Sequence, residues 1–435
     1  MPDRAATSSV PQLTSRWLVL PLLLSIALLN YADRYLLSGL VGPIKADFGL
    51  SDGFMGLLMG PAFAVIFTVA AIPIARLADR TSRIRIICAG CATWSLFTAL
   101  TAYADSGWML AAARVGVGIG EAAYQAPSAA LIAAYFPLHQ RGRALALVAS
   151  SIYIGQMLGM AGGPAIASVY GWRAAFELLG AAGIIVAATA WIIIREPPHA
   201  PVSEMPASLP VLAGNLMRAP SLRNMTVGMG LGTLSGVSFG MWGPALFERA
   251  YGLSNAAAGG AFGLAFGLPG LFGMLMFGVI ADRMARSGMH RPLLLAAGAL
   301  FAATLLVICA TWAPDLRTAQ LLAVPSGLLG GGWSIGIIAG LQYVLPERHR
   351  STGTALALLV VSLFGNLIGP WVAGGLSDMF GGEGANGLRL GLTLIIPTGF
   401  IGAWLLWRAS RSLRADHHRL SAQPAGCVGA PGRPM

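Results

Sequence analysis

The chain has 435 residues, 56% of them hydrophobic and only 10% charged, with a formal net charge of +11. Water-soluble domains carry about a quarter charged residues, so a soluble enzyme is excluded. The excess positive charge invites a nucleic-acid reading, which the placement of the arginines along the chain also excludes.

The apolar residues fall into twelve blocks: 16–43, 54–75, 84–104, 107–135, 143–170, 173–194, 222–247, 255–281, 292–313, 318–345, 352–380 and 390–408. A helix of about 20 residues crosses about 30 Å of hydrocarbon, so each block reads as a membrane span. The polar segment before Ser15 has no small-residue cleavage pattern, and span 1 is expected to stay as an anchor. Together the spans leave no room for an extramembrane catalytic domain.

If the N-terminus is cytoplasmic, Lys45, Arg173, Arg249, Arg317 and Arg389 lie outside and Arg34 and Arg114 lie within spans; the other 21 of the 28 basic residues are cytoplasmic. That asymmetry follows the positive-inside rule and puts both termini in the cytoplasm. The basic balance is therefore a topology signal, and no nucleic-acid partner is expected.

Span 1 carries Asp33 and Arg34 in its interior, and span 4 carries Arg114 and Glu121; the second half has no ionisable residue well inside a span. Each isolated charge at the bilayer centre costs about 2.5–3.5 kcal/mol on insertion scales, so such groups face the bundle interior and seek partners. Arg114 and Glu121 are seven residues apart, two turns along one face of a helix. With spans 1 and 4 running in opposite directions, their levels bracket Asp33 and Arg34, so crossed pairs Asp33–Arg114 and Arg34–Glu121 are feasible. Either acid can couple proton movement to transport; the alternative is a purely structural pair of ion bridges. Tyr31, Tyr124 and Gln125 flank the four charges as candidate ligand contacts, followed by Tyr153, Trp242, Trp333 and Asn366. Cys88 and Cys91 in span 3 lack metal-ligand spacing, and neither a metal nor another cofactor is expected.

Between spans 6 and 7, residues 195–221 are rich in proline and charge and read as a cytoplasmic linker between residues 1–194 and 222–408. The segment 409–435, rich in Arg, His, Pro and Gly, is expected to be a disordered cytoplasmic tail. The two main blocks repeat one another. Gly49–Ser51 recurs as Gly252–Ser254 and LADR (Leu77–Arg80) as IADR (Ile280–Arg283), both at an offset of 203; RALALVASS (Arg143–Ser151) matches TALALLVVS (Thr354–Ser362). A six-span unit duplicated in parallel gives an all-α membrane protein, twelve transmembrane helices forming two six-helix bundles around a central cavity.

These features resemble the major facilitator superfamily. Its loop motif appears as ARLADRTSRIR (Ala75–Arg85), with Ala75 and Ser82 in place of two glycines, and again as GVIADRMARSG. ARVGVGIGE on span 4 and GMAGGP (Gly159–Pro164) on span 5 are similar to further superfamily patterns. NYADR (Asn30–Arg34), GIGEAAYQAPSAALIAAYFP (Gly118–Pro137) and GNLIGPWVAGGLSD (Gly365–Asp378) look like the spinster-type branch, whose animal members export lysophospholipids or sphingoid phosphates. The resemblance implies a cytoplasmic latch made by Asp79, Arg80 and Arg83 near Ser351–Thr354 at the start of span 11, with Asp282 and Arg283 as the second copy. It also implies alternating access between two moving halves. Gly159 and Pro164 mark a place where span 5 can bend.

The charge asymmetry carries its own expectation. One cavity wall bears the four charges; the other bears Gly, Leu, Thr233, Ser235, Ser238, Trp242 and Trp333. That suits an amphipathic organic anion or lysolipid-like substrate, with protons as the coupling ion and membrane lipid around a monomer in a bacterial inner membrane. The alternatives are a proton-linked multidrug exporter or an uptake system for a small organic anion. A receptor without transport is disfavoured by the duplicated latch motifs. An intramembrane enzyme is disfavoured because no HExxH and no histidine within a span supplies its chemistry.

Overall fold

The computed structural model describes residues 14–197, 214, 217–346, 350–382 and 384–421. Among them the chain makes twelve helical passes. Helix 1 is Arg16–Gly39, continued by Val41–Phe48; helix 2 is Asp52–Met59 plus Pro61–Arg80; helix 3 is Arg83–Thr101; helix 4 is Gly107–Glu121 plus Gln125–Tyr135. Helix 5 is His139–Tyr170 and helix 6 is Trp172–Ile193. Helix 7 is Pro220–Tyr251. Helices 8 to 12 are Asn255–Ala285, His290–Thr311, Leu316–Val344, Thr352–Met379 and Ala385–Leu420. Ten of these are long and apolar enough to cross a membrane. Helix 4 falls short because a turn at 122–124 divides it, and helix 7 because Gly, Ser and Thr dilute its hydropathy.

The repeated Gly-Leu-Ser is a corner between helices. Gly49 and Gly252 end helices 1 and 7 in the left-handed region, at φ 62° and 61°, which glycine adopts without strain. Two residues on, Ser51 and Ser254 cap helices 2 and 8, accepting from the Phe54 and Ala257 amides at 3.1 and 3.3 Å. The 203-residue offset is thus one structural unit used twice.

Helices 2, 5, 8 and 11 form the seams between the halves, and each is irregular in the same way. Helix 2 breaks at Gly60, while helices 5, 8 and 11 contain π-helical segments at Leu158–Gly162, Gly263–Gly267 and Leu363–Ile368. Pro61, Pro164, Pro269 and Pro370 open the segment that follows. Proline lacks an N–H, so the carbonyl four residues earlier is left free. In helix 5 that carbonyl, Met160, faces Gly39 of helix 1 and Gly259 of helix 8; in helix 11 it is Asn366, which with the nearer Leu367 carbonyl faces Gly60 of helix 2. A Cβ on Gly259 or Gly60 would collide with the opposing backbone. Backbone meets backbone across both seams.

Two expected boundaries need correction. The segment after Arg408 does not begin a disordered tail: the last helix continues to Ser421. Leu406, Ala409 and Leu413 are fully buried at helical spacing, and Asp416 accepts from the Ser221 amide at 2.7 Å, capping helix 7. His417 stacks on Tyr343 with centroids 4.1 Å apart. The expected linker, 195–221, overlaps helix 7 at its end, since Pro220 and Ser221 are already helical. Its residues 198–213, 215 and 216, and the tail from 422, lie outside the described residues.

Candidate functional site

Helices 1, 3 and 4 meet where the sequence places its buried charges. Helix 4 gets close because Gly116, Gly118 and Gly120 leave space for Phe97, for the Phe63 carbonyl and for Trp94. Helix 4 is thereby set against helices 2 and 3, and the Arg114 and Glu121 side chains reach helix 1 from there. Both crossed pairs are present: Arg114 Nη1 lies 3.2 Å from Asp33 Oδ2, and Arg34 Nη2 lies 2.6 Å from Glu121 Oε2.

The two pairs differ in surroundings. Asp33 and Arg114 are 1% and 2% exposed, and Asp33 Oδ1 accepts a second bond, 2.7 Å, from the Thr98 hydroxyl of helix 3. Both Asp33 oxygens are therefore occupied. Glu121 is fully buried, yet its Oε1 has no hydrogen-bond partner among the described residues. Arg34 is the one member that reaches open space, with 11% of its side chain exposed. Its guanidinium lies 4.7, 5.4 and 5.4 Å from the ring centres of Phe63, Phe67 and Tyr31, an aromatic nest that favours a cation. Exposed Gln125 and half-buried Tyr31 stand at the same opening, joined Nε2 to OH at 3.4 Å.

Other expected contacts are spent elsewhere. Tyr124 is buried and donates to the Leu23 carbonyl at 2.9 Å; Trp242 is fully buried and donates to the Pro370 carbonyl, also at 2.9 Å. An aromatic with one polar atom satisfies it inside the protein when buried, so both serve packing in this state. Tyr153 crosses between the halves, its ring against Gly270 and its hydroxyl 2.8 Å from the Gly331 carbonyl. Trp333 packs over Gly232 and Leu300 and is 9% exposed. Asn366 sits in the helix 11 π segment and donates to Ser362 Oγ at 3.2 Å.

The face bearing the chain ends is here called the terminal face, the opposite one the far face. Asp79, Arg80, Asp282 and Arg283 are exposed on the terminal face, and no described residue forms an ion pair with either aspartate. The halves are instead tied at the far face by a cluster that sequence reasoning missed. Asp52, fully buried, takes Arg249 in a two-pronged pair at 2.6 and 2.7 Å, Lys45 at 2.7 Å and the Ser377 hydroxyl at 2.7 Å. Asp378 of helix 11 accepts from the Asp52 and Gly53 amides at 2.9 and 2.7 Å, capping helix 2 from the other half. Asn255 donates to the Gly39 carbonyl at 2.8 Å and Ser38 to the Met241 carbonyl at 2.5 Å. This is a state closed at the far face.

Comparisons agree with this architecture. The Major Facilitator Superfamily profile matches residues 23–365. An MFS-type efflux pump of Mycolicibacterium smegmatis is 33% identical, covering 92% of this chain and 94% of its own length. Protein spinster homolog 1 of Homo sapiens is 29% identical, covering 83% of this chain and 73% of its own. Among solved structures, a bacterial homolog of the human lysosomal transporter Spinster, inward-facing and occupied, superposes with a TM-score of 0.81 at 25% identity; the match covers 92% of this chain and 98% of that one. Its inward-facing, unoccupied form gives 0.79. Twelve passes in duplicated halves and a profile match over most of the length lead to one assignment: the chain belongs to the Major Facilitator Superfamily and is a Spinster-like membrane transporter.

Proposed function

We propose that the protein is a proton-coupled secondary transporter that moves an amphipathic organic anion, lysolipid-like in shape, by alternating access. The observation that carries this reading is the Arg34–Glu121 pair: a guanidinium at the edge of open space, held by a carboxylate with one oxygen unpartnered. A proton taken at Glu121 Oε1 removes the negative charge that holds Arg34. The guanidinium is then free to take the anionic head of a substrate, with Tyr31 and Gln125 beside it. Asp33, with both oxygens bonded, keeps Arg114 and helix 3 in register and acts as a positioning residue. The second half offers no formal charge at this depth, which suits the apolar body of the same ligand.

In the proposed cycle the Asp52 cluster closes the far face, and opening it engages Asp79, Arg80 and Arg83, with Asp282 and Arg283, at the terminal face. The arginine distribution supports a cytoplasmic terminal face, in a cell membrane and with a monomer as the working unit. A second reading, a proton-linked exporter of unrelated drugs, is favoured by the relative named an efflux pump. Counterflow into proteoliposomes over a panel of labelled lysophospholipids, small carboxylates and cationic drugs, with and without a pH gradient, separates these. Uptake of lysolipids alone, responsive to the gradient, supports the first reading; cationic drugs as the better substrates would replace it with the second.

A further inference from the structure

A groove of about 540 Å³ opens on the terminal face between the helix 2–3 loop and the end of helix 6, away from the charged tetrad. Thr81, Ser82, Ile84, Arg85, Trp191 and Arg195 are among its lining residues. Its backbone is firmly set. Thr14 Oγ1 donates to the Ile193 carbonyl at 2.6 Å and accepts from the Arg195 amide at 2.9 Å, while Tyr135 donates to the Arg195 carbonyl. The carboxylate in the groove, Glu196, is committed to helix 3: its Oε2 accepts from the Ser82 hydroxyl at 2.7 Å and the Ile84 amide at 3.2 Å. The cations are not committed. Among the described residues, neither the Arg85 nor the Arg195 guanidinium has a hydrogen bond or ion pair.

The neighbouring surface is apolar. Trp191 and Ile192 are 54% and 77% exposed at the end of a membrane-spanning helix, with Ile193 beside them. Tryptophan at a helix end is typical of the headgroup level of a bilayer. The groove therefore joins two guanidinium forks that have no ion-pair partner among the described residues to a surface that acyl chains cover. Guanidinium groups bind phosphate oxygens in pairs, and basic residues at a membrane surface draw anionic lipid.

We propose that this groove seats the phosphate of an anionic glycerophospholipid from the adjoining leaflet, with Arg85 and Arg195 on the phosphate and Trp191 against the glycerol and upper chain. The site lies beside Arg83, the first residue of helix 3, and is independent of the transported substrate. An occupied groove tethers the helix 2–3 loop to the leaflet.

The test uses the full-length protein in mixed micelles of phosphatidylglycerol and phosphatidylcholine, with native mass spectrometry counting retained lipids. The wild type should retain phosphatidylglycerol about tenfold over phosphatidylcholine. R85Q/R195Q should lose most of that preference, while R291Q, an exposed arginine elsewhere on the same face, keeps it. R85Q and R195Q singly give folded comparators if the double variant melts early, and each should lose part of the preference. Equal retention by wild type and all groove variants would overturn the proposal. So would displacement of the lipid by millimolar glycerol 1-phosphate, which would make the groove a site for soluble phosphates.

Discussion

Arg249 of helix 7 grips Asp52 of helix 2 with both guanidinium nitrogens, Nη1 to Oδ2 at 2.6 Å and Nη2 to Oδ1 at 2.7 Å, across the boundary between the halves. The carboxylate is fully buried and the guanidinium side chain 14% exposed. Arg249→Met removes the cation supplied by the other half but leaves Asp52 paired with Lys45, so its cost falls below the roughly 3 kcal/mol of a fully stranded charge. It should shift the far-face equilibrium toward open by roughly tenfold. Pulsed electron spin resonance between labels at Asp105 and Met379 reads the change as a longer distance population. D52N/R249M together should shift it less than R249M alone.

The two buried pairs near mid-membrane should separate by what their loss affects. Arg114→Met leaves Asp33 with only the Thr98 hydroxyl and should lower stability by about 3–5 kcal/mol. Thr98→Val removes one bond to a charged acceptor and should cost about 1.5–3 kcal/mol. Arg34→Met strips the fully buried Glu121 of its guanidinium partner, so it should also lower stability, and it should abolish substrate counterflow. Unfolding in detergent, read beside counterflow, checks the order.

Glu121→Gln keeps the size of the side chain and a hydrogen-bond acceptor for Arg34 but cannot exchange a proton. The expected variant still performs counterflow and no longer responds to an imposed pH gradient. Asp33→Asn should impair counterflow itself, since Asp33 orients Arg114. A Glu121→Gln protein whose uptake still follows the gradient would remove Glu121 from the coupling step.

Gly259→Ala sets a methyl against the Met160 carbonyl. Overpacking of this kind costs about 1–3 kcal/mol, here charged only to the state in which the seam is shut. Pro164→Ala supplies an amide for Met160 and should straighten helix 5, pulling that carbonyl out of the seam. Both variants should open the far face, measurable with the same labels, while leaving the Asp33–Arg114 pair undisturbed.

Asp416 fixes the extended end of helix 12 to the start of helix 7. Asp416→Ala should cost about 1 kcal/mol, as loss of a helix cap does. Chains ending at Arg408 should lose more, because Leu413 goes with the cap. Melting temperatures of the two proteins give the comparison.

Span number, duplication and buried charges were legible because each is expensive to violate in lipid: an apolar block must be long, and a charge at its centre must find a partner. The Asp33–Arg114 and Arg34–Glu121 pairing followed from counting rise per residue. Asp52 was not legible. At the first turn of a helix an acid looks like an ordinary cap, and Arg249 and Asp378 are 197 and 326 residues away. Tyr124 and Trp242 looked like site residues because a polar atom in a span invites that reading, while rotation of the helix, set by packing, turned both inward. Thr98 and the phenylalanines around Arg34 gave only a hydroxyl and two rings among many. The ordered end of helix 12 was hidden by its charges, although Leu406, Ala409 and Leu413 already kept helical spacing.

The seams close with the Met160 carbonyl against Gly259 and the Asn366 and Leu367 carbonyls against Gly60, contacts that freeze no rotamers. Side-chain ordering, which commonly opposes association by about 0.5–2 kcal/mol for each long residue, falls here on Lys45, Arg249, Tyr153 and a few shorter neighbours. The balance between the two access states should therefore depend only weakly on temperature and more visibly on ionic strength. A carrier hinged in this way would keep cycling in a cold membrane.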